Sequence, residues 1–173
     1  MGGMNHPSSP APSSAVENTG PFNDSDVAFA MGMVPHHKQA VDMVNMILAK
    51  DGIDPKVVSL AQRITAAQGP EIVEMTAWLN IWGSPMGSMS GMDGMHSGMM
   101  SDADMAALEA ATGTQASQLF LQQMTMHHQG AITMAKTEIS GGKNPGAIAL
   151  ANGIIKSQSA EIIEMADILG TSG

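Results

Sequence analysis

Two pairs of adjacent histidines, His36-His37 and His127-His128, stand ninety-one positions apart in the chain. A methionine precedes each pair by three residues (Met33, Met124), and another follows it (Met43, Met134). A second doubled stretch, offset by ninety, sets Gln68, Glu71 and Met75 against Gln158, Glu161 and Met165. Imidazole nitrogen suits copper in either oxidation state, and thioether sulfur is a soft, uncharged donor that selects Cu(I) or Ag(I). These histidines and methionines are therefore candidate copper ligands, with Cu(I) the favoured ion and Ag(I) or Cu(II) as further options. Glu71 and Glu161, with Gln68 and Gln158, read as groups that hold an imidazole in one tautomer rather than as ligands of a soft ion.

A second set of soft donors lies between the two copies. Met86, Met89, Met92 and Met95 recur every third residue, followed by His96, Met99 and Met100. A run of Gly, Ser and Asp offers these side chains no core to fill, so it reads as a strand that wraps an ion with two or three sulfurs. Low-complexity drift is the competing explanation. Thioethers neither titrate nor form disulfides, so such a site works in oxidising compartments where thiols would be lost.

The elements that must position these residues follow from periodicity. Asn23 or Asp24 caps a helix running to about Lys50, with Gly52 ending it. Its apolar positions form two seams, one through Val34, His37, Val41 and Val44, the other through Met33, His36, Ala40 and Met43. Met33, His36 and Met43 can thus face inward together, as can Met124, His127 and Met134. Asp54-Pro55 starts a second helix that ends near Gly83, and its seam carries Gln68 and Glu71 between apolar residues. Pro35 and Pro70 should kink these helices at the histidine level. After a short helix over residues 102–111, a third long helix covers 114–140 and a fourth runs from Asn144-Pro145 to Gly170.

The chain is expected to be all-α: an antiparallel four-helix bundle, ferritin-like, built from two duplicated helical hairpins joined by the Met-rich crossover linker. The first 22 residues are a flexible tail; residues 23–170 hold hairpin 23–83, linker 84–100, short helix 101–112 and hairpin 113–170. Residues equally distant from a turn share a height in an antiparallel pair, at a rise of roughly 1.5 Å per residue. Counting from turns near 52–53 and 142–143 brings histidine, glutamine and glutamate to one level, twice.

Composition narrows the classes. The balance of 7 basic against 16 acidic residues argues against nucleic-acid or acidic-membrane binding and suits attraction of cations. The absence of cysteine removes disulfides, thiolate sites and thiol nucleophiles. No run reaches transmembrane length. The Ser/Pro/Gly-rich start reads as a spacer from which an export signal has been removed, which leaves room for a lipid anchor in the precursor. Periplasm, cell surface or secretion is the expected compartment.

The runs Asp26-Val-Ala-Phe-Ala-Met-Gly-Met-Val-Pro-His-His, Gly98-Met-Met-Ser-Asp, Phe120-Leu-Gln-Gln-Met-Thr-Met-His-His-Gln-Gly-Ala and Gln158-Ser-Ala-Glu-Ile-Ile-Glu-Met resemble the domain-of-unknown-function family numbered 305. The resemblance covers about residues 24–170. It implies a ferritin-like fold, export from the cytoplasm and copper binding, since the family includes a cyanobacterial copper-resistance protein. Copper ions are the implied partners, together with a protein that delivers or accepts them.

Three functions compete. The first is a copper-binding, buffering or resistance protein without turnover. The second is a di-iron oxidase, which needs Glu from two helices and Glu-x-x-His from two others. Neither Glu71 nor Glu74 is followed by histidine at that spacing. The third is a helical interaction module whose polar layer only fixes helix register, because unpaired buried polar groups are costly. A register device needs one polar layer, and methionines above and below it are surplus to that role.

Overall fold

A computed structural model describes residues 20–86 and 97–171. The described chain is all-helical: α1 Asp24–Leu48, α2 Pro55–Ile81, α3 Asp102–Ala110, α4 Gly113–Gly141 and α5 Pro145–Thr171. The candidate ligands Met89, Met92, Met95 and His96 lie outside the described residues, as does most of the expected N-terminal tail.

Side-chain caps set the helix starts. The Asn23 side chain accepts from the Ser25 and Asp26 amides, and the Asp26 carboxylate accepts the Asn23 N–H in return. Asp54 accepts the Lys56 amide beside Pro55, whose missing N–H has no partner to lose in a first turn. Ser101 and Asp104 repeat the reciprocal cap at α3. Helix α1 stops at Leu48, short of Lys50, and Gly52 turns the chain at φ +72°. Pro35 and Pro70 lie inside α1 and α2, which continue through them.

Helices α1 and α2 pack as one hairpin and α4 and α5 as the other, with α1 against α4 in the middle. The α1–α4 pair is antiparallel: Asn23 Nδ2 donates to the Gly141 carbonyl at one end, and Gly52 approaches Gly113 at the other. At the edge where α2 meets α5, Arg63 donates to Glu164 and Lys56 Nζ reaches Thr171 Oγ1. The short α3 rests on α1 and α4, held by Lys50 Nζ on the Glu109 carbonyl and Gln123 Nε2 on the Asp104 carbonyl.

The apolar interior is divided in two. One cluster contains Met43, Val44, Ile47, Leu60, Ile64, Phe120, Leu121, Met124 and Met165. The other contains Phe29, Met33, Val34, Met75, Trp78, Leu79, Ala131 and Ile154, with Met134 against it. Each fully buried large side chain stabilises by roughly 1.5–3 kcal/mol, so both clusters contribute to holding the helices together. All four histidines are buried.

Candidate metal centre

Ten residues of helix separate Met33 from Met43, about 15 Å along the axis at 1.5 Å per residue. They share a seam and both are buried on it, as expected, but they stand too far apart to share one ion. Because α1 and α4 are antiparallel, Met33 joins Met75 and Met134 on one side of the histidines, while Met43 joins Met124 and Met165 on the other. Each thioether set thus draws on both copies of the duplication.

Between the sets, His36 and His127 face each other across the α1–α4 contact with ring centroids 3.7 Å apart and planes inclined by 34°. His36 and His37, one residue apart on α1, have centroids 6.5 Å apart. His37 Nε2 bonds Glu71 Oε2 at 2.7 Å, and His128 Nε2 bonds Glu161 Oε2 at 2.6 Å. A carboxylate oxygen only accepts, so in each ring Nε2 carries the hydrogen. The backbone carbonyl of Ser97 plays the same part for His36, 3.1 Å from Nε2. The Nδ1 atoms of His36, His37 and His128 are buried and make no hydrogen bond within the protein. A neutral ring anchored at Nε2 has its remaining lone pair on Nδ1.

His127 differs from the other three, since neither of its ring nitrogens has a hydrogen-bond partner. The His36 backbone approaches the ring, but without hydrogen-bond geometry. Gln68, only 2% exposed, has both amide atoms unpaired, and Gln158 has an unpaired Oε1. Unpaired polar atoms are rare in folded interiors; here the four histidines and the two glutamines of the duplicated motif carry them, as do Thr65, Trp82, Gln123 and Glu138 outside it.

Electrostatics keep the central rings neutral. Burial, reinforced by His37 and His128, pushes His36 down to about 3 against the opposing pull of the Ser97 carbonyl. Burial, then His36, His128 and His37, push His127 down to about 2. Neutral imidazoles are the form that can donate to a metal. Among the described residues, no three His, Asp or Glu side chains gather so as to hold an ion by themselves.

The linker residues divide. Met86 is exposed and Met99 half-buried, but Met100 is 8% exposed and joins the apolar cluster beside Met43 and Met124. The expectation that the linker has no core to fill therefore fails at its last residue. Ser97, Gly98 and Gly130, which meet beside His36, and Gln39, which holds Met100, carry no motif that would single them out. The one available signal is that positions 39 and 130 are equivalent in the duplication yet hold Gln and Gly.

The family model for the domain of unknown function DUF305 matches residues 26–169. A DUF305 protein of Streptomyces coelicolor is 37% identical, with a TM-score of 0.79 over 86% of this chain and 92% of that one. A DUF305 fragment from Deinococcus radiodurans is 33% identical, with a TM-score of 0.78 over 88% of this chain and 99% of that one. CopM in its Cu(I)-bound form is 33% identical, with a TM-score of 0.70 over 84% of this chain and 96% of that one. CopM is also known in Cu(II)-bound and Ag-bound forms. No curated protein matches the chain. With the family model spanning most of its length, the chain belongs to the DUF305 family.

Proposed function

We propose that this protein binds copper, Cu(I) above all, through the histidine layer and the methionines on either side of it, and buffers or carries the ion outside the cytoplasm. The observation that carries this reading is the set of three imidazoles anchored at Nε2 with buried, unpaired Nδ1 atoms. A layer that only fixed register would satisfy its polar atoms, because each one left unpaired costs about 1–3 kcal/mol. Sulfur is the donor type that a site here has to add, since no three His, Asp or Glu gather among the described residues. That favours a soft ion over Zn(II) or a di-iron centre. The copper- and silver-bound forms of CopM support the same choice.

In this reading the helices form a ferritin-like bundle whose two hairpins each supply half of the site. The protein performs no turnover, and its role is copper homeostasis or resistance. The lack of cysteine and the methionine-rich linker fit a periplasmic, cell-surface or secreted location. The Met-rich linker is a second binding element whose sulfurs have no proton to lose.

An anaerobic Cu(I) titration against a chromophoric competitor at pH 7 tests the reading. Replacing His36, His37, His127 and His128 should remove the bundle site and leave only the capacity of the linker. Replacing Met86, Met89, Met92 and Met95 by Leu should remove the linker's share of the capacity and leave the bundle site. A four-histidine variant with full capacity and wild-type affinity would make the polar layer structural.

A further inference from the structure

Three of the four layer histidines have an Nε2 acceptor, but only two of those acceptors are carboxylates supplied by the duplicated motif. The third, the Ser97 carbonyl, belongs to the returning end of the crossover. Two contacts hold that segment in place. Gln39, on α1, clasps Met100 twice: its Nε2 donates to the Met100 carbonyl at 2.9 Å and its Oε1 accepts the Met100 amide at 2.8 Å. On the other side, Gly98 lies on Gly130 of α4 so closely that a Cβ on Gly130 would stand 2.1 Å from the Ser97 oxygen. A Cβ on Gly98 would stand 2.7 Å from the Gly130 Cα, and Gly98 itself holds φ +76°. Only glycine meets both demands at this crossing.

Gln39 and Gly130 are the equivalent positions of the two copies, each two residues past the second histidine of its pair. One copy grips the strap and the other makes room for it. The strap therefore crosses between α1 and α4 at a fixed height, with one carbonyl on one nitrogen of His36.

We propose that Gln39, Gly98 and Gly130 are positioning residues that act through the Ser97 carbonyl: they hold hydrogen on His36 Nε2 and so present Nδ1 as the metal-binding atom. The strap does for His36 what Glu71 does for His37 and Glu161 for His128. A neutral acceptor suits this ring, which lies in the middle of the layer against His127, whereas a second carboxylate there would be a buried charge without a partner. The inference rests on the copper-binding reading for its purpose, but the tautomer it assigns belongs to the metal-free protein.

The test uses the full chain without metal at pH 7, with 15N and 13C imidazole NMR to read the tautomer of each histidine. Wild type should show His36, His37 and His128 as Nε2–H tautomers. Gln39→Leu and Gly130→Ala should each move His36 toward a mixture with Nδ1–H while His37 and His128 keep their signals, which also reports that the fold is intact. Gln39→Glu, which replaces the amide donor by a carboxylate oxygen facing the Met100 carbonyl, is a second variant for the same reading. Cu(I) affinity at the histidine site should fall about tenfold or more in the variants that shift the tautomer, the usual effect of losing a partner behind a ligand. An Nδ1–H tautomer at His36 in wild type, or a His36 tautomer unmoved in every variant, overturns the proposal. A tautomer that moves while Cu(I) affinity stays constant also overturns it, because the clasp would then not serve the site. A wild-type chain that binds no Cu(I) overturns the copper reading instead, and the tautomer result still decides whether the strap positions His36.

Discussion

His36 and His127, one from each copy of the duplication, stack at 3.7 Å between centroids and share a site from which solvent is excluded. Neither ring can take a proton there without placing a charge in the interior. Burial, the largest cause for both, holds His36 at about 3 and His127 at about 2. In the unfolded chain the same side chains titrate at 6.5.

The first prediction is acid sensitivity of the metal-free protein. The folded pKa values lie below the unfolded ones, so the unfolded state binds more protons as pH falls. The contribution is fully present above pH 6.5 and is lost progressively as pH drops toward the folded values. Each unit of difference is worth about 1.4 kcal/mol, more than the usual whole contribution of an exposed ion pair. Urea midpoints at pH 7, 6, 5 and 4 should fall steeply for wild type. His127→Gln, which cannot titrate, should be less stable at pH 7 but show a shallower fall. Equal slopes in the two proteins would mean that other groups drive the loss.

At the far end of the α1–α4 contact a second buried pair works in the opposite direction. Burial, then a hydrogen bond and repulsion from Asp26, push Glu138 up to about 8. Burial also raises Asp26, but bonds from Glu138 and from the Asn144, Asn23 and Lys143 amides outweigh it and leave Asp26 below 3.8. Buried beside the ionised Asp26, and with no donor among the described residues on either of its own oxygens, Glu138 keeps its proton. Raising the pH strips that proton in the unfolded state first, at 4.5, so stability declines from there up to about 8 and stays low beyond it. Glu138→Gln replaces the protonated acid by an amide that cannot ionise. It should match wild type near pH 5 and exceed it at pH 9 in chemical denaturation, and a variant weaker than wild type at pH 9 would refute the assignment.

The heights of these groups were legible in the sequence because a helical hairpin is a ruler. Counting from Gly52 and Gly142 puts Gln68 and Gln158 at the height of the histidines with Glu71 and Glu161 one turn further on, where they reach His37 and His128, and caps such as Asn23 and Asp54 mark the starts. What counting within one hairpin cannot deliver is the pairing between hairpins. Met33 and Met43 stand on opposite sides of the histidines by sequence, but only the antiparallel α1–α4 contact decides that Met134 joins Met33 and Met124 joins Met43. The Ser97 carbonyl was illegible for a different reason: every residue has a carbonyl, and only the tertiary path of the crossover gives this one a partner. Asp26 is similarly ambiguous, since as a capping-box residue it satisfies a local rule while its carboxylate also accepts from Lys143 and Asn144 far along the chain.

The last prediction separates the hydrogen bond from the charge at Glu71 and Glu161. Each carboxylate accepts from a buried imidazole, and each is only partly exposed, at 20% and 13%. Glu71→Gln keeps an acceptor oxygen within reach of His37 Nε2, so the ring keeps its orientation and Nδ1 still faces inward. Glu71→Ala leaves a buried Nε2–H without a partner, at a cost of about 1–3 kcal/mol, and frees the ring to turn. Cu(I) affinity should therefore drop roughly 10–100-fold in Glu71→Ala and in Glu161→Ala, as it does when the partner behind a metal-binding histidine is lost. The Gln variants should stay near wild type. The duplication supplies an internal control, because the two pairs have the same geometry on opposite sides of the α1–α4 contact. A competition titration of all four variants decides the matter. If Glu71→Gln and Glu71→Ala lose affinity alike, the negative charge acts on the ion itself, and the carboxylate belongs among the ligands.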